Sequence, residues 1–434
     1  MNLRKAFLSM AAVLMAGLLP FSAFQKTLRA ESDNSGKAIR SGTAHIAGAM
    51  ESNIYFGNYW QSVKSEDAAD SNKEPVKWRV LANGGSLFVV SDKNLDCIEY
   101  NSSAETVTWE NCTLRKWLNS KFLDKAFTAQ EQGAVLESLV VNEDGAKGSE
   151  AGPDTYDKVY LLSIYEVIDP ELGFPTDWKD KGGTRVALNT EYTKSKRAMT
   201  GPDMSGAWWL RTPGDAKNAA NVFNAGNVFV RGGNVNNFIF AVRPAMNIDA
   251  SKVLFTSPAE GGKISGVPGA DAMKEVVSYT GNDWKLTIQD DTRPVFEASV
   301  SGSKTILKDG AVKLKYKGAS TGVNEYISAI IEDTEGNILY YGNIAGNAAD
   351  GADSGKAALN VPAELMPGTY KILVFSEQCN GDFKTDLASN IVTLDITISK
   401  YKTADRNLLI GISAAIVAAA CVVVVVAVRK KKHA

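Results

Sequence analysis

The end of the chain constrains it most. Leu408 to Val428 carries no charge, and Arg429, Lys430, Lys431 and Lys432 follow at once. At a rise of ~1.5 Å per residue, a helix over this run is long enough to cross a hydrocarbon core of ~30 Å. Basic clusters stay on the cytoplasmic side. The sequence therefore predicts one C-terminal transmembrane helix at 408–428 and a cytoplasmic basic tail at 429–434. The expected localisation is the cell membrane, single-pass, with the preceding domains extracellular.

The start agrees with the end. Arg4 and Lys5 precede a mostly apolar run, 6–24, that is interrupted by Pro20 and short for a span. Residues 1–30 thus read as a secretory signal peptide. Residues 31–53 are small and polar and read as a flexible lead-in, and 400–407 reads as a stalk before the membrane. Lys402-Thr403-Ala404-Asp405, followed by an apolar run and a basic tail, resembles a cell-wall sorting signal without its Leu-Pro-x-Thr-Gly. Cleavage after Thr403 and attachment to the wall is the alternative to a retained anchor.

An apolar share of 44% is that of a globular chain, and a net charge of -2 gives no footprint for nucleic acid. The two histidines, His45 and His433, fall in the lead-in and the tail. This argues against Ser–His–Asp hydrolysis, Cys–His proteolysis and His-ligated zinc. No metal and no cofactor are expected. Of four cysteines, Cys421 lies in the apolar run and Cys379 stands alone. Cys97 and Cys112 are the one plausible pair: either a disulfide worth ~3 kcal/mol or two buried thiols.

Between the termini the pattern divides in two. In 54–249, Val76, Trp78 and Val80 alternate with Lys77 and Arg79, the period of a half-buried strand, and Asn83-Gly84 follows as a turn. Leu114, Trp117, Leu118 and Phe122 mark one face of a helix. Thr128 with Glu131, and Ser163 with Glu166, have the spacing of capping boxes. Strand patterns return from Ala207 to Ile248. Strands, helices, then strands again predict an α+β domain with its helices segregated. In 252–399 about seven strand-like runs are separated by turns such as Glu335-Gly336-Asn337 and Pro367-Gly368. They predict an all-β, immunoglobulin-like sandwich, although the Cys–Trp–Cys hallmark of true immunoglobulin domains is missing.

The first of these regions carries a recognisable series of motifs. They are Ile54-Tyr55-Phe56-Gly57-Asn58-Tyr59, Val76-Lys77-Trp78-Arg79-Val80-Leu81, Leu95-Asp96-Cys97, and Thr108-Trp109-Glu110-Asn111 running into Thr113-Leu114-Arg115-Lys116-Trp117-Leu118-Asn119. Leu161-Leu162-Ser163, Trp208-Trp209-Leu210-Arg211-Thr212-Pro213-Gly214 and Val242-Arg243-Pro244-Ala245 complete it. In order and spacing this region resembles an uncharacterised family of secreted bacterial proteins, the domain of unknown function numbered 6273. Cys112 and Thr212 stand where that family usually has Ser. The resemblance implies a C-type-lectin-like fold, akin to the formylglycine-generating enzymes, and no known activity. The late cysteine pair that binds copper in those enzymes is absent. So are the calcium-lectin triplets Glu-Pro-Asn and Trp-Asn-Asp.

Candidate binding residues come from the same region. On a strand Trp208 and Trp209 face opposite sides, so one is core and the other can stack on a sugar or an apolar partner, unless both faces are covered. Arg211 offers a fork for a carboxylate or phosphate, or pairs within the fold. In the turn-rich segment 221–237, Asn227 and Asn234 are candidates for a polar groove, against the plainer role of turn residues. The expectation is a cell-surface, non-enzymatic binding protein for a cell-envelope or host-surface ligand, with the sandwich as spacer. The alternatives are an extracellular hydrolase working with carboxylates alone and a purely structural surface or wall protein.

Overall fold

The computed structural model describes residues 36–400. Strand accounts for 40% and helix for 12%, so the expected α+β plan gives way to a mostly β molecule, and the lectin-like arrangement implied by the resemblance is corrected with it. The physical reason lies in the helix ends. The apolar face at 114–122 forms one helical stretch, Thr113–Trp117, Leu118–Phe122 and Leu123–Ala126, with a π-helical middle. The Thr128–Glu131 capping box forms, but its helix, Ala129–Ala134, stops after six residues as Val135 becomes extended. The Ser163–Glu166 pair opens only a single 3-10 turn, Glu166–Ile168. Asp169 is extended and Pro170 comes next, and a proline cannot donate the bond that would extend a helix there.

Among the described residues no helix is long and apolar enough to cross a membrane. The helix of the expected single-pass membrane protein is therefore not found among them. The 408–428 run, the tail, the signal peptide and most of the stalk lie outside the described residues.

A 15-stranded sheet runs through both halves of the described chain. Ser86–Ser91 pairs with Lys73–Asn83, and that strand pairs with Asn53–Trp60, all antiparallel. The turn between the first two is made by Gly84 and Gly85, the latter at φ 96°. Asn83 instead donates to the carbonyls of Thr43 (2.7 Å) and Ile46 (3.0 Å), fastening the lead-in. Asn53–Trp60 then pairs in parallel with Asp283–Gln289, a strand from the second half. The same strand pairs in parallel with Asp386–Ala388 and antiparallel with Val253–Pro258. One edge of Asp283–Gln289 is thus shared: its first residues take Asn53–Tyr55 and its last take Asp386–Ala388.

From residue 36 on, the expected flexible lead-in is part of this body. Ile39 and Ile46 are buried. The His45 and Trp284 rings meet edge-on at 4.8 Å, and the Arg40 guanidinium lies 4.7 Å from the Trp284 ring.

Three cores follow from the alternation of side chains along strands. The first holds Phe56, Trp78, Leu118, Phe122, Trp208, Trp209 and Ile248, and takes in Leu286 and Ile288. The second lies between the three-stranded sheet of Glu297–Val300, Ala311–Lys317 and Ser354–Asn360 and strands that include Glu325–Glu332 and Gly368–Gln378. Ile327, Ala329 and Ile331 point into it, while Ile330 points the other way, into a third core with Phe255, Tyr341 and Phe375.

Candidate functional site

The Trp208–Pro213 strand lies between Asn218–Val222 and Ala241–Val242. Its neighbouring tryptophans do face opposite sides, and both sides are covered, so each indole is 0% exposed. Trp208 donates its indole N–H to the Arg185 carbonyl (3.1 Å), and the Arg243 guanidinium stacks 5.0 Å from its ring centroid. Trp209 donates to the Ile98 carbonyl (3.1 Å) and packs on Phe240 at 4.4 Å. Neither ring presents a face to solvent.

Arg211 is also buried. It donates to the carbonyls of Leu161 (2.9 Å) and Val141 (3.0 Å) and to the Glu166 carboxylate, tying three loops together. Asn227 is half-buried in the turn before Val228–Asn234, and the exposed Asn234 ends that strand, accepting from the Asn236 amide (3.3 Å). The five candidates do not converge: three are interior and two sit at opposite ends of one strand.

An open groove lies elsewhere, on the face formed by Thr113–Trp117 and the π-helical Leu118–Phe122. It encloses about 370 Å³, with the half-buried Trp117 and Ile98 as apolar wall. Ser102, Thr113 and Ser120 bring hydroxyls, Lys116 and Lys121 bring exposed ammonium groups, and Glu99 brings one carboxylate. π-helical turns of this kind are frequent at functional sites. Trp117 is held from behind by Phe122, at 5.5 Å between ring centroids. Among the described residues no group of three His, Cys, Asp or Glu is arranged to hold a metal ion.

Beneath the groove the motif residues meet on one carboxylate. Asp157 accepts from the Trp109 indole (3.0 Å), Arg115 Nε (2.6 Å), the Thr155 hydroxyl (2.7 Å) and the Asn119 amide (3.2 Å). The buried Tyr100 hydroxyl donates to the Arg211 carbonyl (2.8 Å). Arg243, fully buried, donates through Nε to the Ser91 carbonyl (2.9 Å), and burial pushes its guanidinium down to about 9. Residues 84–250, which contain these networks, match the family model described as Domain of unknown function (DUF6273). The chain carries a DUF6273 domain. Comparison with curated proteins finds no match.

The matched region begins after Asn53–Trp60 and Lys73–Asn83, yet its Ser86–Ser91 strand pairs with Lys73–Asn83, which in turn pairs with Asn53–Trp60. Its two cysteines are separate buried thiols. Cys97 Sγ lies 2.9 Å from the Phe238 carbonyl. Cys112 Sγ accepts from the Arg115 amide (3.3 Å) at the N-cap of Thr113–Trp117, a position suited to the family's usual Ser. Burial pushes both thiols up to about 12. In the sequence Trp117 belongs to a helical face and to one motif, and neither marks it for binding. Its place next to Lys116 and Lys121, in a stretch of helix rich in hydroxyls and charge, is the signal that the sequence offers.

Proposed function

We propose that this protein is a non-enzymatic binding protein whose DUF6273 domain takes its ligand at the Trp117 groove. The observation that carries this reading is the composition of that groove: one indole wall beside hydroxyls and two ammonium groups, open to solvent. A sugar ring stacks its C–H face on an indole and exchanges hydrogen bonds at its rim. Lys116 and Lys121 against Glu99 favour a glycan with anionic substituents, of the kind borne by cell envelopes and host surfaces. Hydrolysis by carboxylates would require two carboxyls flanking one bond, and this groove brings only Glu99. The strand-rich second half serves as its support.

The test is binding of the purified full chain to a glycan array, repeated with Trp117→Phe, Trp117→Ala and Lys121→Glu. Acidic glycans should bind the parent, Trp117→Ala should weaken them by at least ~10-fold, about 1.4 kcal/mol, and Lys121→Glu should weaken them without altering the melting curve. Binding that ignores all three substitutions, or turnover of a polymer without stable binding, would overturn the reading.

A further inference from the structure

Where Asp283–Gln289 meets Asp386–Ala388, four charged side chains are sealed from water. Lys263, Lys285, Glu377 and Asp386 keep side-chain exposures of 2%, 4%, 0% and 1%. Two cations face two anions, so the cluster is neutral as a whole. Its arrangement is not symmetrical. Asp386 Oδ2 receives the Lys263 ammonium at 2.8 Å, while Oδ1 receives the Lys285 ammonium (2.9 Å) and the Asn380 amide (2.8 Å). Lys263 also bonds to Glu377 Oε1 and to the Thr287 hydroxyl (2.5 Å). Glu377 Oε2 is held by the Tyr341 hydroxyl (2.9 Å), which in turn accepts from the Asn343 amide (3.0 Å).

This is more than an ion pair needs. A single carboxylate has one oxygen polarised by two fixed donors and the other presented to an amine, and that amine touches a second carboxylate able to carry a proton. Fixed donors aimed at one oxygen are the arrangement that stabilises the oxyanion of acyl transfer. Holding the amine against the acyl group supplies the proximity that an intermolecular reaction lacks.

We propose that Lys263 and Asp386 condense into an intramolecular amide bond, with Glu377 as proton carrier. One proton passes from the Lys263 ammonium to Asp386 Oδ2, leaving a neutral amine and a carboxylic acid. Lys263 Nζ attacks Asp386 Cγ, and the charge that gathers on Oδ1 faces Lys285 and the Asn380 amide. Glu377 takes a proton from the attacking nitrogen and returns it to Oδ2. The Cγ–Oδ2 bond breaks, and one water leaves. Glu377 ends as it began, and no oxidant or cofactor takes part. The cluster stays neutral, and two buried charges, each costly to keep from water, are removed.

The choice of Lys263 over Lys285 rests on partners. Lys285 has the Gly381 carbonyl (2.6 Å) as its other acceptor, a group that cannot carry a proton away. Attraction to Asp386 and Glu377 outweighs burial and keeps the Lys263 ammonium well above its ordinary value, so the ionised pair is the resting form and the neutral pair that reacts is scarce. A reaction that happens once per molecule tolerates this. The bond would close a ring between positions separated by 123 residues, enclosing the strands of the second core except Val392–Ser399.

The experiment is intact-mass and peptide mapping of the purified full chain, folded and after incubation. The expected mass is that of the chain less one water, with a branched tryptic peptide joining Lys263 to Asp386. Glu377→Gln, which keeps the shape of the side chain, should retain the full mass in a folded protein, as should Asp386→Ala. Recovery of unmodified Lys263 and Asp386 peptides from the parent in full yield would overturn the proposal. So would a branch at Lys285, or a Glu377→Gln protein that loses water as readily as the parent.

Discussion

Trp208 hangs its indole N–H on the carbonyl of Arg185, a residue whose own guanidinium is saturated by backbone. Arg185 Nε donates to Gly226 (2.7 Å), Nη1 to Val167 (3.1 Å) and Pro175 (2.9 Å), and Nη2 to Asp177 (2.8 Å) and Asp180 (3.0 Å). A planar fork thus gathers the loops that roof Trp208. A lysine has three donors on one point and cannot serve this spread of carbonyls. Arg185→Lys should cost ~2–4 kcal/mol in urea unfolding. A loss below ~1 kcal/mol would mean that the loops hold without the fork.

Arg293 and Glu325 form a two-toothed buried pair, Nη1 to Oε2 at 2.9 Å and Nη2 to Oε1 at 2.8 Å, with side chains 7% and 5% exposed. Arg293 Nε also lies 3.5 Å from the Asp290 carboxylate, 6% exposed, so three buried charges depend on one another. Glu325→Ala should destabilise by ~3 kcal/mol, whereas the combined change Arg293→Met, Glu325→Leu and Asp290→Asn should come out near the parent. Denaturant midpoints of the three proteins decide it, and equal losses in the single and combined variants would contradict the argument.

His45 accepts or donates at Thr256 Oγ1 (2.8 Å) against Trp284, and burial, then Arg40, lower its pKa to about 3. The unfolded chain takes up this proton near pH ~6.5 and the folded chain resists it. Stability from His45 is thus complete above the unfolded value and drains away as pH falls towards about 3. Between pH 7 and pH 4.5 the parent should lose roughly 2 kcal/mol more than His45→Asn, allowing for solvent at this half-buried ring. Parallel pH–stability curves for the two proteins would remove His45 from the account.

Gly57 sits at φ 71° in the register shift of Asn53–Trp60, and a Cβ there would meet the Ala126 carbonyl and the Phe127 ring at 2.6 Å each. Gly57→Ala should cost ~2–4 kcal/mol through strain and overlap. Gly84→Ala, with open space around its Cβ, should change the melting midpoint little. Similar midpoints for both would refute the steric reading of the Phe56-Gly57-Asn58 motif.

Local features of the fold were legible. The alternation at Val76, Trp78 and Val80 is a strand with these residues buried, and Thr128 caps its helix with Glu131. What sequence periodicity could not supply was tertiary cover. It placed Trp208 and Trp209 on opposite faces and had no means to tell that loops and helices close over both. Arg185 stands in Gly-Thr-Arg-Val with no period or motif around it, and its role exists only once five carbonyls are gathered. The parallel pairing of Asn53–Trp60 with Asp283–Gln289 joins residues too distant for any spacing rule, and so does the meeting of Lys263 with Asp386. The sequence overstates helix because a correct start signal carries no information on how soon a proline or an extended residue ends the run.

The shared edge of Asp283–Gln289 has a mechanical meaning. A linker between beads would act as a hinge near residues 250–252, letting one half swing or melt without the other. Here the ladder itself crosses that point, so tension applied across the two halves loads parallel strands in shear, and many bonds must yield together. The two halves should therefore break as one piece.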